Sequence, residues 1–148
     1  MTQTTAATGA AGRPADIEAA RGWLADLFAP WVQALNLQVE SVAPGEACLR
    51  LPFDASLCRI GGTICGQALM AAADTAMVIA IGAQLGEIRP MTTVSLNTSF
   101  MRAVSGSDVR IVARVLKPGK TLMFGSIDMT SAADDRLAAQ VTTTYAML

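Results

Sequence analysis

The chain has 148 residues, the size of one domain, and 52% of them are hydrophobic while only 16% are charged. The net charge is −1 and the 11 basic residues do not cluster, which argues against a nucleic-acid-binding surface. Because the chain contains no histidine, Ser-His-Asp and Cys-His triads, histidine-dependent hydratase dyads and most catalytic zinc sites are excluded.

Residues 1–14 are rich in Thr, Ala and Gly and lack a hydrophobic pattern, which predicts a disordered tail ahead of a single domain over residues 15–148. No basic segment followed by an apolar one is present there, so we predict no signal peptide. Apolar residues then recur at helical spacing from Asp16 to Phe28, with Asp16 as the cap and Pro30 as the end of that helix. We expect the helix to pack across a sheet edge, and we expect Trp23 and Trp31 to be core anchors rather than ligand contacts.

Six segments alternate between apolar and polar residues, as strands with one buried face do. They are residues Leu35–Val42, Ala47–Leu51, Thr93–Met101, Val109–Leu116, Thr121–Thr130 and Leu137–Met147. Pro44-Gly45 joins the first two as a hairpin, and short turns join the later ones, which favours an antiparallel sheet. The fold class is therefore predicted to be α+β, with a six-stranded antiparallel sheet wrapped around a long central helix.

The central segment, Arg59–Leu85, begins with the turn Gly61-Gly62 and then continues directly as a helix, in which almost every residue from Ile64 to Ile81 is apolar or small. A helix that is apolar on all sides is either buried in a core or spans a membrane. Asp74 interrupts it, and a carboxylate is costly in either setting unless it is paired or hydrogen-bonded. We predict a core helix that carries a functional acid beside a cavity. The alternatives are an Asp74 that reaches water at an exposed edge, or one satisfied by Thr75 and backbone groups.

The three cysteines, Cys48, Cys58 and Cys65, are odd in number and lack paired CxxC spacing. This favours free thiols in a reducing compartment over a disulfide framework or a zinc site, and we predict a cytoplasmic protein with no metal ligands and no membrane attachment. The low charge content predicts surface buried between subunits. The single tyrosine, Tyr145, falls in the last predicted strand, where a core or sheet role is expected.

The central segment also carries a family resemblance. It reads Arg59-Ile60-Gly61-Gly62-Thr63-Ile64-Cys65-Gly66-Gln67, with Asp74 nine residues after Cys65. This frame resembles the hotdog-fold acyl-CoA thioesterases of the phenylacetic-acid-degradation type, which have Asn, two residues, Gly-Thr-Leu-His-Gly-Gly, and then Asp nine residues after the His. Here Arg59, Cys65 and Gln67 stand at the Asn, His and second Gly positions.

The resemblance implies hydrolysis of acyl-CoA thioesters without a cofactor, by a homodimer or homotetramer whose site halves come from two subunits. The backbone N–H of Gly66 would polarise the thioester carbonyl, as the free amides of a helix N-terminus can. Asp74 would be the nucleophile or the general base for water, and Thr93 would supply a hydroxyl. Gln67 projects from the same helix face as Asp74 and would add an amide donor.

For substrate binding we predict Cys65, Arg59, Asn97, Gly119 and Lys120, with Arg102 and Lys117 as further candidates for the CoA phosphates. A direct chemical role for the Cys65 thiol is an alternative, because a helix N-terminus favours the thiolate. The rival function is a non-catalytic acyl-CoA or fatty-acyl binding protein. A hotdog dehydratase conflicts with the absence of histidine.

Overall fold

The computed structural model describes residues 15–148, so the predicted tail over residues 1–14 lies outside the described residues. The helices are α1 (Ile17–Asp26), α2 (Pro30–Gln33) and α3 (Gly66–Leu85), and a short 3-10 helix covers Ala55–Leu57. The strands are β1 (Gln38–Ala43), β2 (Glu46–Leu51), β3 (Met91–Phe100), β4 (Val109–Pro118), β5 (Leu122–Ser131) and β6 (Leu137–Met147).

The six strands form one sheet in the order β1-β2-β4-β5-β6-β3, and every neighbouring pair is antiparallel. The predicted α+β class and the predicted six-stranded antiparallel sheet are therefore confirmed. β1 and β3 are the two edges of the sheet, and α1 packs against β1 as expected. In β3 a bulge between Thr93 and Ser95 shifts the pairing with β6, next to the pair Thr93–Tyr145.

The long helix α3 supplies the middle of the core. It is long and apolar enough to cross a membrane by length and composition, yet 67% of its most apolar window is buried inside the domain. Small residues such as Ala72, Ala73 and Ala76 are fully buried, which lets the helix lie close to the sheet. On the sheet side, the alternation of Ala47, Leu49 and Leu51 predicted their inward positions correctly, since all three are 0% exposed.

Three local expectations differ from the structure. The central helix begins at Gly66, because Ile64 is held in extended conformation by a β-bridge to Cys58 and donates its N–H to Val104. Pro30 occupies the first turn of α2, a position at which its missing N–H costs nothing, and α1 already ends at Asp26. Trp31 is 65% exposed and is therefore not a core anchor.

Candidate active site

The loop that precedes α3 fixes how the helix begins. Gly61 and Gly62 both adopt positive φ (102° and 80°), which glycine tolerates better than other residues, and the Cys65 N–H donates to the Leu57 carbonyl over 2.9 Å. Cys65 is the N-cap, but its side chain makes no capping hydrogen bond. The first-turn N–H groups, starting with that of Gly66, therefore have no side-chain acceptor from the cap and lie at the positive end of the helix dipole.

Gly66 leaves room for an aromatic ring. A Cβ at this position would lie 3.0 Å from Cζ of Phe100, at the end of β3. The two residues lie on the wall of a 330 Å³ pocket that also includes Arg59, Thr63 and Arg102. The amide donors at the start of α3 thus lie beside a pocket that is partly apolar and partly basic.

Asp74 lies two turns further along α3, where it is partly buried and hydrogen-bonded to two strands. Its Oδ1 accepts from Thr93 Oγ1 over 2.9 Å and from the Tyr145 hydroxyl at short range. That hydroxyl also lies 3.0 Å from the Asp74 carbonyl oxygen. The Thr75 hydroxyl donates instead to the Ala71 carbonyl, so it does not satisfy the acid. Thr93, the residue expected to supply a hydroxyl, is thus hydrogen-bonded to Asp74.

The family follows from comparison with known proteins. The model of the thioesterase superfamily matches residues 61–138, which is more than half of the chain and includes both Gly66 and Asp74. The chain belongs to the thioesterase superfamily. Human acyl-coenzyme A thioesterase 13 is 33% identical over 107 residues, covering 71% of this chain and 75% of that protein.

Solved structures show the same architecture. The zebra fish thioesterase superfamily member 2 superposes with a TM-score of 0.80 at 28% identity, covering 89% of this chain and 98% of that one. The E. coli PaaI protein from the phenylacetic acid degradation operon superposes with a TM-score of 0.77 at 18% identity, covering 87% and 90%, and shows the fold alone. The hotdog fold and the resemblance to this family are thus confirmed, and membership of the thioesterase superfamily supports thioester hydrolysis as the general reaction.

In this thioesterase-superfamily chain the two chemical elements of the site lie apart. Gly66 and Asp74 are eight residues apart on one helix, which places them about 12 Å from each other along its axis. Gly66 lies near Phe100 and Asp74 lies near Thr93, so β3 runs antiparallel to α3 between the two positions. One carbonyl carbon cannot contact both elements of the same copy.

The remaining residues predicted to act at the site lie in three places: at the start of α3, on β3, and near the end of α3. Cys65, Arg59 and Gln67 lie at its start, where Arg59 and Gln67 are exposed, and Asn97 lies exposed on β3. Gly119 and Lys120 line a separate 380 Å³ pocket with Gln84 near the end of α3. Gln84 is 18 residues from Gly66, or about 27 Å along the helix, so the pocket that Lys120 lines lies far from the amide donors of its own chain.

Tyr145 is the site residue that sequence reasoning missed. Alternation in the last strand correctly placed its ring in the core, where it is 1% exposed. The signal that could have identified its hydroxyl is chemical: a buried tyrosine needs a hydrogen-bond partner, and Asp74 was the acid predicted to lie in the same core. Burial, and then the charge of Asp74, raise the pKa of Tyr145 far above its ordinary value of 10.0.

The raised pKa of Tyr145 predicts how stability depends on alkaline pH. Its contribution is fully present below pH 10, where both states hold the proton, and is lost as pH rises because the unfolded chain releases its proton first. We expect the free energy of unfolding of the unsubstituted protein to fall more steeply between about pH 10 and 11.5 than that of Tyr145→Phe. Urea unfolding at several pH values measures both slopes, and parallel slopes would contradict the prediction.

Proposed function

We propose that the chain hydrolyses acyl-CoA thioesters to the free acid and CoA at a site formed by two copies of the chain. The observation that carries the proposal is Asp74, a carboxylate within an apolar core helix, with Oδ1 held by Thr93 and Tyr145. Within residues 15–148, no hydrogen bond or ion pair is recorded for its Oδ2, which leaves that oxygen for chemistry. The named relative, acyl-coenzyme A thioesterase 13, supports the substrate class.

In the proposed reaction the Gly66 N–H donates to the thioester carbonyl oxygen and stabilises the negative charge that develops there. Asp74 either removes a proton from a water that attacks the carbonyl carbon, or attacks that carbon itself to form a mixed anhydride that water then cleaves. In both routes the C–S bond breaks and the CoA sulfur leaves as a thiolate that takes up a proton. Label found in the Asp74 carboxylate after a single turnover in ¹⁸O-water would establish the anhydride route, since only attack of water on the Asp74 carbon of an anhydride places it there.

Two features support a shared site: the separation of Gly66 and Asp74 along α3, and the position of β3 at an edge of the sheet. If two copies pair their β3 strands antiparallel about a point near Asn97, the Phe100 end of one strand lies beside the Thr93 end of the other. This arrangement brings the amide donors of one copy towards Asp74 of the second. Exposed apolar side chains on β3, Val94 at 60% and Phe100 at 52%, would be covered by the same contact.

Three arginines support recognition of a substrate that carries phosphates. Arg59 and Arg102 line the pocket beside Gly66, and Arg102 and Arg136 line an adjoining 530 Å³ pocket with Ser105 and Ser107. None of the three arginines forms an ion pair within residues 15–148. Their guanidinium groups are therefore available to the phosphates of CoA, although the carboxylate of Asp134 also lines the second pocket.

Removal of one of these charges is expected to weaken binding of CoA esters selectively. Arg102→Gln should raise KM for an acyl-CoA by roughly two- to fivefold, the size of an exposed ion pair, and leave kcat unchanged. The same variant should not change KM for the matching acyl-pantetheine thioester, which lacks the nucleotide phosphates. Arg21→Gln, on α1, is the control, because this arginine lies outside every predicted substrate-binding position. An equal rise in KM for both thioesters would show that Arg102 does not recognise the nucleotide phosphates.

The proposal is tested by release of free thiol from a panel of short, long and aromatic acyl-CoA esters, with Asp74→Asn as the background. Turnover above that background for at least one ester supports the enzyme. Tight binding of an acyl-CoA with no turnover would instead establish the rival function, an acyl-CoA binding protein. The substitutions at Arg59, Cys65 and Gln67 relative to the family frame are what keep this rival open.

A further inference from the structure

We infer that Tyr145 is a positioning residue for Asp74: with Thr93 it holds one carboxylate oxygen, so that the other faces the substrate. This inference rests on the proposed function of Asp74. Tyr145 is not among the residues implied by the family resemblance, and its role follows from where the sheet places its hydroxyl.

The hydroxyl reaches Asp74 because of the sheet register. Tyr145 of β6 pairs with Thr93 of β3 on one side and with Met123 of β5 on the other. The Tyr145 ring is 1% exposed, so its orientation is fixed by packing, and both hydroxyls converge on Asp74 Oδ1. Rotation of the carboxylate about its last bond would break at least one of these contacts, which defines a single orientation for Oδ2.

Both contacts also offset the cost of a charge beside the core. Hydrogen bonds from neutral donors to a carboxylate are stronger than hydrogen bonds between neutral groups. Of the two side chains that donate a hydrogen bond to Asp74 within residues 15–148, Thr93 does not titrate and Tyr145 does. Burial and the nearby charge raise its pKa, so the phenol stays protonated and remains a donor through the neutral range.

The test compares two buried hydroxyls on the same strand. Tyr145→Phe removes the donor to Asp74, whereas Thr143→Val removes a donor whose partner is the Ser95 carbonyl at 2.8 Å. Both side chains are buried and point to the same face of β6, so both substitutions cost stability. Only Tyr145→Phe is expected to lower kcat, by about 10- to 100-fold, while KM stays within about twofold in both variants.

Two results separate this inference from the proposed function. In an Asp74→Asn background Tyr145→Phe should have no further effect on kcat, because its action passes through the carboxylate. If Asp74→Asn abolishes turnover while Tyr145→Phe keeps the original kcat, the positioning role is wrong and the enzyme assignment stands. If Asp74→Asn turns over as fast as the original protein, the proposed function itself fails.

The single tyrosine allows a second measurement that does not depend on how well a variant folds. Growth on 3-fluorotyrosine labels position 145 alone, and the ¹⁹F resonance reports on the hydrogen bond of that phenol. We expect Asp74→Asn to shift the resonance and Thr143→Val to leave it in place. An identical resonance in the protein with and without the Asp74 carboxylate would overturn the inference.

Discussion

Asp74→Asn is expected to lower kcat for acyl-CoA hydrolysis by about 10²- to 10⁴-fold, the range associated with loss of a general base. The amide cannot accept a proton from water and is a poor nucleophile, while its oxygen still accepts from Thr93 and Tyr145. The fold should therefore persist, with little change in the unfolding midpoint. Steady-state thiol release and thermal unfolding of the same preparation measure the two effects.

The control for Asp74→Asn is Asp128→Asn, the same substitution on the face of the sheet that points away from the core. Asp128 of β5 accepts from Gln140 and lies 3.5 Å from Arg114, between Ile127 and Met129, whose side chains point into the core. Asp128→Asn should keep kcat within about twofold, because a solvated ion pair contributes little. A comparable loss in both variants would mean that net charge, and not the position of Asp74, controls the rate.

Gly66→Pro is expected to lower kcat by about 10²- to 10³-fold, the cost of removing one preorganised donor to a developing oxyanion. Proline is tolerated at the first helical position, and Cys65 already has the extended conformation (φ −70°, ψ 151°) that precedes proline. The substitution thus removes the N–H while the helix can still form. Gly66→Ala is the matched control, because it adds a Cβ against Phe100 and keeps the donor.

A mixture of the two inactive variants tests whether the site is shared. In a hybrid dimer of Asp74→Asn and Gly66→Pro chains, one site contains both lesions and the other contains neither. Random association of equal amounts should restore about a quarter of the original activity, because half of the dimers are hybrids with one intact site. No recovery after subunit exchange would contradict the two-copy site, and the single-variant losses would then have to be explained within one chain.

The sequence predicted the strands and the buried helix because alternation and helical apolarity report which side chains face the core. Through the family frame it also pointed to Asp74 and to the Thr93 hydroxyl, although not to the hydrogen bond between them. It could not predict which side chain of β6 lies opposite Asp74, because this depends on sheet register and on the bulge near Thr93. Nor could it predict that Lys120 lies far from Gly66, because this depends on where the turn between β4 and β5 lies relative to the two ends of α3.

Local chemistry accounts for the other differences. Trp31 follows Pro30 in a four-residue helix that has no buried residue, so its large side chain finds no core to enter. α3 starts at Gly66, later than predicted, because Ile64 forms a β-bridge with Cys58. These two residues lie on either side of the glycine turn. Both effects depend on a neighbouring segment and leave no trace in helical or alternating periodicity.

β3 is an edge strand of the sheet, and in the proposed site it pairs with β3 of a second copy. The rate of hydrolysis per enzyme molecule should therefore depend on the protein concentration. A subunit released by dilution keeps its core and its acid, but in the proposed arrangement it loses the amide donors of the second copy. Specific activity should then decline as the enzyme is diluted towards the dissociation constant of the pair, and saturating substrate that bridges the copies should slow that decline. Assays at nanomolar enzyme would thus measure the strength of strand pairing as well as the rate of catalysis.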